Sequence, residues 1–440
     1  METNSTAFIT SFWQKNRIIF KGILIAFLAL LLLVPANMVQ DLVRERQSRQ
    51  QEAVDEISSK WAGTQTIAGP VICLPYLQPQ KDDKGNLVNL QKVAYFLPEE
   101  LDINSTIHPE ERSRGIYKVI VYSGDLTLKG RFGKMDIASL GIPDGNLLWN
   151  EAYMLFALDD VRGIREEVRV NLGGTNYELV PGQQDNPQFK NSLTARIAIN
   201  AADSLESLPF NLDFKLRGSR SMAFLPLGKK THVRMSSPWP DPSFNGSYLP
   251  DTRTVNSKGF EAEWNVLYLN RNFPQQWRDK VYELEKSGFG VDLLVPVDIY
   301  QKSMRSVKYA LLCIVLTFTA FLLIELIYGR PIHAFQYVLV GFALILFYTL
   351  LLSVSEYLSF NLAYLLATIA TVSLVTLFVR SVLQSSRIAS FICLVLLLLY
   401  GFIFVLIQSQ DYALLMGSVG LFITLALVMY FSRKAKWQYN

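Results

Sequence analysis

Residues 307–328 read VKYALLCIVLTFTAFLLIELIY, and this stretch decides the architecture. A helix rises about 1.5 Å per residue, so a run of about 20 apolar residues crosses a hydrocarbon core of about 30 Å. The run holds one acid, Glu325, about one turn from its end, and Gly329-Arg330-Pro331 follows. Four more apolar runs come after it, at 334–353, 360–379, 388–407 and 412–431, separated by short polar turns. Runs of this length and number do not belong to soluble cores. Residues 307–431 are therefore expected to form a five-helix transmembrane domain, with 432–440 as a short tail.

A sixth run lies at residues 18–39, with Lys15 and Arg17 before it and Lys21 in its first turn. A signal peptide cut near Val34 and Ala36 is the rival reading. The run exceeds the usual signal core of about 7–15 residues, so an uncleaved anchor is expected, with Lys21 snorkelling to the headgroups. Residues 1–17 form the N-terminal tail.

Orientation follows from Lys and Arg in short loops. With the N-terminus inside, Lys15, Arg17, Lys21, Arg330, Arg380, Arg387, Arg433, Lys434 and Lys436 all lie on the cytoplasmic side. The short outer turns carry Glu356 and Asp411 and no Lys or Arg. Arg44, Arg46 and Arg49, and Lys302, Arg305 and Lys308, oppose this, but they flank a long segment, and long segments cross largely regardless of charge. The expectation is six spans, both termini cytoplasmic, and residues 40–306 outside.

Half of the 440 residues are hydrophobic, 18% are charged and the net charge is +4. That balance suits a chain that is part membrane and part water-exposed, and gives no basis for nucleic-acid binding. Cys73 is the only cysteine outside the apolar runs, so the outer domain has no internal disulfide to form.

Residues 40–61 read as a helix, with Val54, Ile57 and Trp61 as its narrow apolar stripe. After a break at 63–69 the pattern turns to strands: 71–77, 93–97, 116–122, 126–132, 153–158, 168–172, 177–180, 210–217, 222–227, 231–236, 260–269 and 291–297. Ser123-Gly124-Asp125 and Gly228-Lys229-Lys230 read as hairpin turns. Phe210, Leu212, Phe214 and Leu216 alternate with Asn211, Asp213, Lys215 and Arg217, as in a half-buried strand. Pro238, Pro240, Pro242 and Pro250 mark a surface loop, and 273–286 reads as a short helix. The outer domain is expected to be β-rich (α+β), mainly antiparallel.

The chemical inventory is sparse. His108, His232 and His333 are scattered, and no zinc motif, phosphate-binding loop or nucleophile elbow is present. No catalytic residue, metal site or cofactor is expected. Asp159-Asp160 and Glu166-Glu167 read as loop charges rather than cation ligands. Glu325 is the exception, because a charge within a span is costly. Arg330 is its expected partner, folding back at Pro331 to form a helix-end ion pair; a proton or ligand site is the alternative. Ala363, Ala367 and Thr371, like Gly417 and Gly420, are spaced for close helix packing.

The chain resembles the CreD family of bacterial inner-membrane proteins, also called cell envelope integrity or colicin-tolerance proteins. The resemblance covers essentially the whole chain. It rests on 31–36 with Arg44-Glu45-Arg46, Thr66-Ile67-Ala68-Gly69-Pro70-Val71 with Pro75-Tyr76, residues 321–331, 353–357, 411–418 and 427–430. It implies an inner-membrane protein with a large periplasmic domain, linked to envelope integrity and the CreBC two-component response. It brings no enzymatic mechanism and no catalytic residues. The leading expectation is a non-enzymatic envelope protein whose periplasmic domain binds an envelope protein or envelope component. The competing one is a transporter or lipid-handling protein with a cavity among the C-terminal helices.

Overall fold

A computed structural model describes residues 17–81, 86–182, 186–189, 191–201, 207–293, 299–409 and 412–433. Lys15, Asp411, Lys434 and Lys436 lie outside these residues. The chain divides into two compact units, Met1–Gln51 with Val297–Asn440, and Glu52–Pro296.

The first unit is helical. α1 (Arg17–Leu31) and α2 (Leu33–Trp61) are separated only at Leu32. The hydrogen-bond ladder crosses that residue, through Leu32 N to Leu28 O at 3.0 Å and Ala36 N to Leu32 O at 3.2 Å. α3 (Ile299–Lys308) leads into α4 (Ala310–Tyr328), followed by α5 (Ala334–Ser355), α6 (Phe360–Leu383), α7 (Ser386–Gln408) and α8 (Ala413–Ser432). Five helices are long and apolar enough to cross a membrane: Ile19–Trp61, Ile299–Tyr328, Ala334–Ser355, Phe360–Leu383 and Ser386–Gln408. The last run is helical too, with Leu415–Tyr430 as a shorter apolar stretch.

Local chemistry sets the helix ends. Gly329 takes a left-handed conformation (φ 68°) and closes α4 with its N–H on the Glu325 carbonyl, a position that suits glycine. His333 begins α5: its Nδ1 accepts from the Phe335 N–H at 3.3 Å, and Gln336 Oε1 accepts from the His333 N–H at 3.0 Å. On the exposed part of α2, Arg44 pairs with Asp41 and Arg49 with Glu45, so these charges form a self-paired wet face.

The bundle packs around buried aromatics. Phe347 and Tyr400 have ring centroids 4.4 Å apart, and Tyr364 donates to the Tyr400 carbonyl at 2.8 Å. Ala363, Ala367 and Thr371 are all buried, so that row of small residues serves internal packing. Gly341 allows another close approach, because a Cβ there would lie 2.2 Å from Leu32 Cδ1. The N-terminal helix thus packs directly on α5 and shares the bundle core through Ile25, Leu28, Leu32 and Ala36.

The second unit is built from one hydrogen-bonded sheet of sixteen strands among the described residues. They are β1 (Gln65–Lys81), β2 (Leu87–Phe96), β3 (Glu100–Arg114), β4 (Tyr117–Phe132), β5 (Tyr153–Leu158), β6 (Val168–Leu172), β7 (Thr175–Pro181) and β8 (Ser192–Arg196). Then come β9 (Leu208–Ser219), β10 (Ser221–Phe224), β11 (Lys230–Ser237), β12 (Pro242–Gly246), β13 (Thr252–Asn256), β14 (Gly259–Leu267), β15 (Gln276–Arg278) and β16 (Phe289–Leu293). The path runs β12-β16-β10-β1-β5-β8-β7-β6-β9-β4-β3-β11-β14-β13, with β2 and β15 branching from β1. Among the described strands only β1 with β10 and β3 with β11 pair in parallel. On β9 the expected alternation holds: Phe210, Leu212, Phe214 and Leu216 are buried and Asp213 and Lys215 exposed.

Four local expectations are corrected. Ser123-Gly124-Asp125 is no turn; it lies within β4, which pairs with β3 and turns at Gly115 (φ 60°). Gly124 marks tight packing instead, since a Cβ there would sit 3.0 Å from the Met222 methyl. Gly228-Lys229-Lys230 joins no hairpin, because β10 pairs with β1 and β16 while β11 pairs with β3 and β14. The connection carries Leu225 and Leu227 through the core as the chain changes partners. Residues 273–286 form no α-helix; they hold β15 and a short 3-10 turn, Leu284–Ser287. Pro274 disfavours helix at Phe273, and Trp277 is drawn into the core, stacked on Tyr95 at 5.1 Å. The proline-rich loop contains β12, paired to β16.

Candidate functional site

A buried carboxylate inside an apolar bundle needs a partner, and Glu325 on α4 finds one that the local sequence did not suggest. Its Oε1 accepts from Lys21 Nζ on α1 in a short contact. Lys21 Nζ also donates to the Ile332 carbonyl at 2.8 Å, on the link between α4 and α5. Glu325 is 6% exposed. Its Oε2 has no hydrogen-bond partner among the described residues, and Tyr337 on α5 is the neighbouring polar side chain. Tyr337 is itself fixed edge-on to Phe318, 5.3 Å away.

The structure does not bring Glu325 and Arg330 together. Arg330 donates instead to the Leu383 carbonyl at the end of α6. A cation there satisfies a free carbonyl and complements the negative helix terminus. The expected break after α4 is present, since α4 ends at Tyr328 and α5 starts at Ala334, but Arg330 reaches Leu383 and not Glu325.

A second charged contact lies further along the same N-terminal helix. Arg46 on α2 approaches Glu356 at 3.7 Å, and the Tyr300 hydroxyl lies 3.3 Å from that carboxylate. The Glu356 side chain is only 7% exposed, so this acid of a short turn is buried against its neighbours. Lys302, Gln408 and Asn361 form a polar chain at that end of the bundle, at 3.3 and 2.7 Å. Lys21, Glu325, Arg330 and Leu383 mark one end; Arg46, Tyr300, Glu356 and Gln408 mark the other.

Between α4, α7 and α8 lies a cavity of about 750 Å³. Leu323, Phe391, Leu398, Phe402, Val419 and Ile423 are typical of its walls; Thr319 and Thr424 add hydroxyls, and among the described residues no charged side chain lines it. Glu325 is not among the lining residues, although Ile324 is.

Several of the remaining sequence candidates have local explanations. Asp160 accepts from the Gly63 N–H at 2.8 Å and from Arg162 Nη2 at 2.7 Å, and the Arg162 hydrogen bonds hold its carboxyl down at about 2. The exposed Glu167 pairs with Arg169. Burial pushes the Cys73 thiol well above its ordinary range, which disfavours the nucleophilic thiolate. His108 contacts Asp125 and His232 contacts Asp102. Among the described residues no group of three or more His, Cys, Asp or Glu is arranged to hold a metal ion.

Sequence reasoning missed Lys21 as the partner of Glu325. The signal was there: one acid near one end of a span, and one Lys in the first turn of an anchor expected to start at the same membrane face.

The family model described as inner membrane protein CreD matches residues 17–438. The inner membrane protein CreD of Escherichia coli (strain K12) is 31% identical over 415 residues, which cover 93% of this chain and 91% of that protein.

Proposed function

Since the chain belongs to the CreD family of inner membrane proteins, we propose that it supports cell envelope integrity without catalysing a reaction, through binding of an envelope protein or envelope component by its β-rich domain. In this reading the chain crosses the membrane six times, with both termini cytoplasmic and the β-rich domain in the periplasm. Short-loop charges support that orientation. The helical unit anchors the domain.

The observation that carries this reading is the engagement of the intramembrane acid. Glu325 is held by Lys21, and among the described residues no charged side chain lines the nearby cavity. A transporter for polar solutes is expected to expose such a group to a water-filled path. Recognition then falls to the β domain, whose edge strand β13 is exposed at every residue. An exposed edge offers unpaired backbone groups to a partner strand.

A second reading, lipid handling, has one observation in its favour: the apolar cavity between α4, α7 and α8 has a volume in the range of small-molecule sites. Two measurements separate them. Photo-crosslinking from Arg253 and Val255 in living cells should trap a specific envelope partner under the binding reading. Mass spectrometry of the purified protein should find a stoichiometric lipid lost on Val419→Trp under the lipid reading. No crosslinked partner together with such a lipid would reverse the preference.

A further inference from the structure

A guanidinium is rarely buried without an anion, because desolvation is costly for a charge that lacks a partner. Arg271, in the second unit, is 7% exposed. Among the described residues it makes no ion pair. Its Nη1 donates to the carbonyls of Pro226 and Leu227 at 3.1 and 2.9 Å, and Nη2 donates to Gln275. These bonds satisfy the buried crossover between β10 and β11, which is a structural duty. They are all to neutral oxygens and leave the charge uncompensated. Nε is buried with no hydrogen-bond partner among the described residues. Burial pulls the guanidinium down to about 10, and the opposing influence is the Tyr248 phenol, not a carboxylate.

Arg271 lies in the wall of a cleft of about 450 Å³, within the range of small-molecule sites. The cleft is also lined by Lys280, Lys286 and one acid, Glu283. Glu283 is taken by Lys286. Lys280 rests its ammonium 4.6 Å from the Tyr282 ring. The cleft therefore carries an excess of positive charge beside aromatic surface.

Its walls are pinned in place. The Tyr248 hydroxyl donates to the Asn270 carbonyl at 2.6 Å. Gln188 grips both backbone groups of Tyr282, donating to its carbonyl at 2.7 Å and accepting from its N–H at 2.8 Å. Phe273 supports the guanidinium from below, 4.4 Å from ring centroid to Cζ. Such preorganisation lowers the ordering cost of binding.

We propose that this cleft binds a small organic oxyanion, a phosphate monoester or a carboxylate, whose charge compensates Arg271 and Lys280 and whose body lies against Tyr248 and Tyr282. The site is independent of the envelope-partner reading and of the membrane cavity.

The test is calorimetric titration of the purified full chain in detergent, with glycerol 3-phosphate in one arm and N-acetylmuramate in the other. Glycerol and N-acetylglucosamine are the uncharged controls. Saturable binding in either charged arm, absent from its control, is expected, and the arm that binds identifies the oxyanion. Arg271→Gln should weaken it by about tenfold or more and Lys280→Ala by roughly threefold. Near-ultraviolet circular dichroism checks the fold of each variant. If Arg271→Gln fails to fold, the exposed pair Lys280→Ala with Lys286→Ala decides: reduced binding supports the site and unchanged binding rejects it. Absence of saturable binding in both charged arms up to about 10 mM also rejects it.

Discussion

Lys21 and Glu325 meet across 304 residues of sequence, tying the first helix of the chain to α4 inside an apolar bundle. The contact gives the N-terminal helix a structural role beyond tethering, because its loss leaves a buried carboxylate without its cation.

The two members of this pair should respond unequally to mutation. Lys21→Ala strands the charge of Glu325 and should cost about 3–5 kcal/mol. Glu325→Gln removes the charge and should cost less, and the double variant should recover part of the Lys21→Ala loss. Thermal melts in detergent measure all three. An equal loss for both single variants, with no recovery, would show that the pair is not coupled.

Helix contact at Gly341 makes a separate prediction. Gly341→Leu places a side chain where Leu32 now lies and should loosen α1 from α5, lowering the melting temperature and exposing Leu32 to lipid-phase photolabels. Gly417→Leu is the control, since nothing lies within 4 Å of its added Cβ. Its melt should match the parent.

The pH dependence of the β domain should carry a signature of Asp160. Arg162, followed by the Gly63 and Arg162 backbone N–H groups, holds its folded pKa at about 2, below the unfolded carboxylate value near 3.9. A depressed carboxylate contributes stability above its unfolded pKa, and that contribution is lost as pH falls through the folded one. Between about pH 4 and pH 2 the wild-type domain should lose about 1–2 kcal/mol through this group, after allowing for solvent screening. Asp160→Asn should flatten that part of the profile in denaturant titrations at stepped pH, and an unchanged slope would argue against the assignment.

Residues 62–293 should fold when expressed alone. They hold one continuous buried cluster and one connected sheet among the described residues. Far-ultraviolet circular dichroism should be strand-dominated and the melt cooperative, with the Cys73 thiol unreactive to Ellman's reagent until the domain unfolds. A helix-dominated spectrum would be incompatible with the fold described.

Much of this was legible in the residues. The long apolar runs announced the helices because a span's length is set by the bilayer, and β9 announced itself because one face is wet. β3 stayed hidden because its inward positions are few: Leu101, Ile103 and Ile107, with Ser105 between them. The glycines misled for a physical reason. Gly124 and Gly228 are small because neighbours crowd them, which at the level of sequence looks the same as a turn. The site was half legible. Glu325 stood out as a costly charge, but its partner is fixed by helix packing and not by chain proximity, so Arg330, five residues on, looked nearer than Lys21.

The β domain also has a particular way of beginning and ending. Gln65 on β1 and Val291 on β16 both lie opposite Met222 on β10, so one strand separates the chain's entry from its exit. With strands spaced about 4.8 Å apart, the two points are about 10 Å from each other, a gap that three or four residues bridge. A module whose two ends sit side by side can be gained, lost or exchanged by recombination without re-routing the chain on either side.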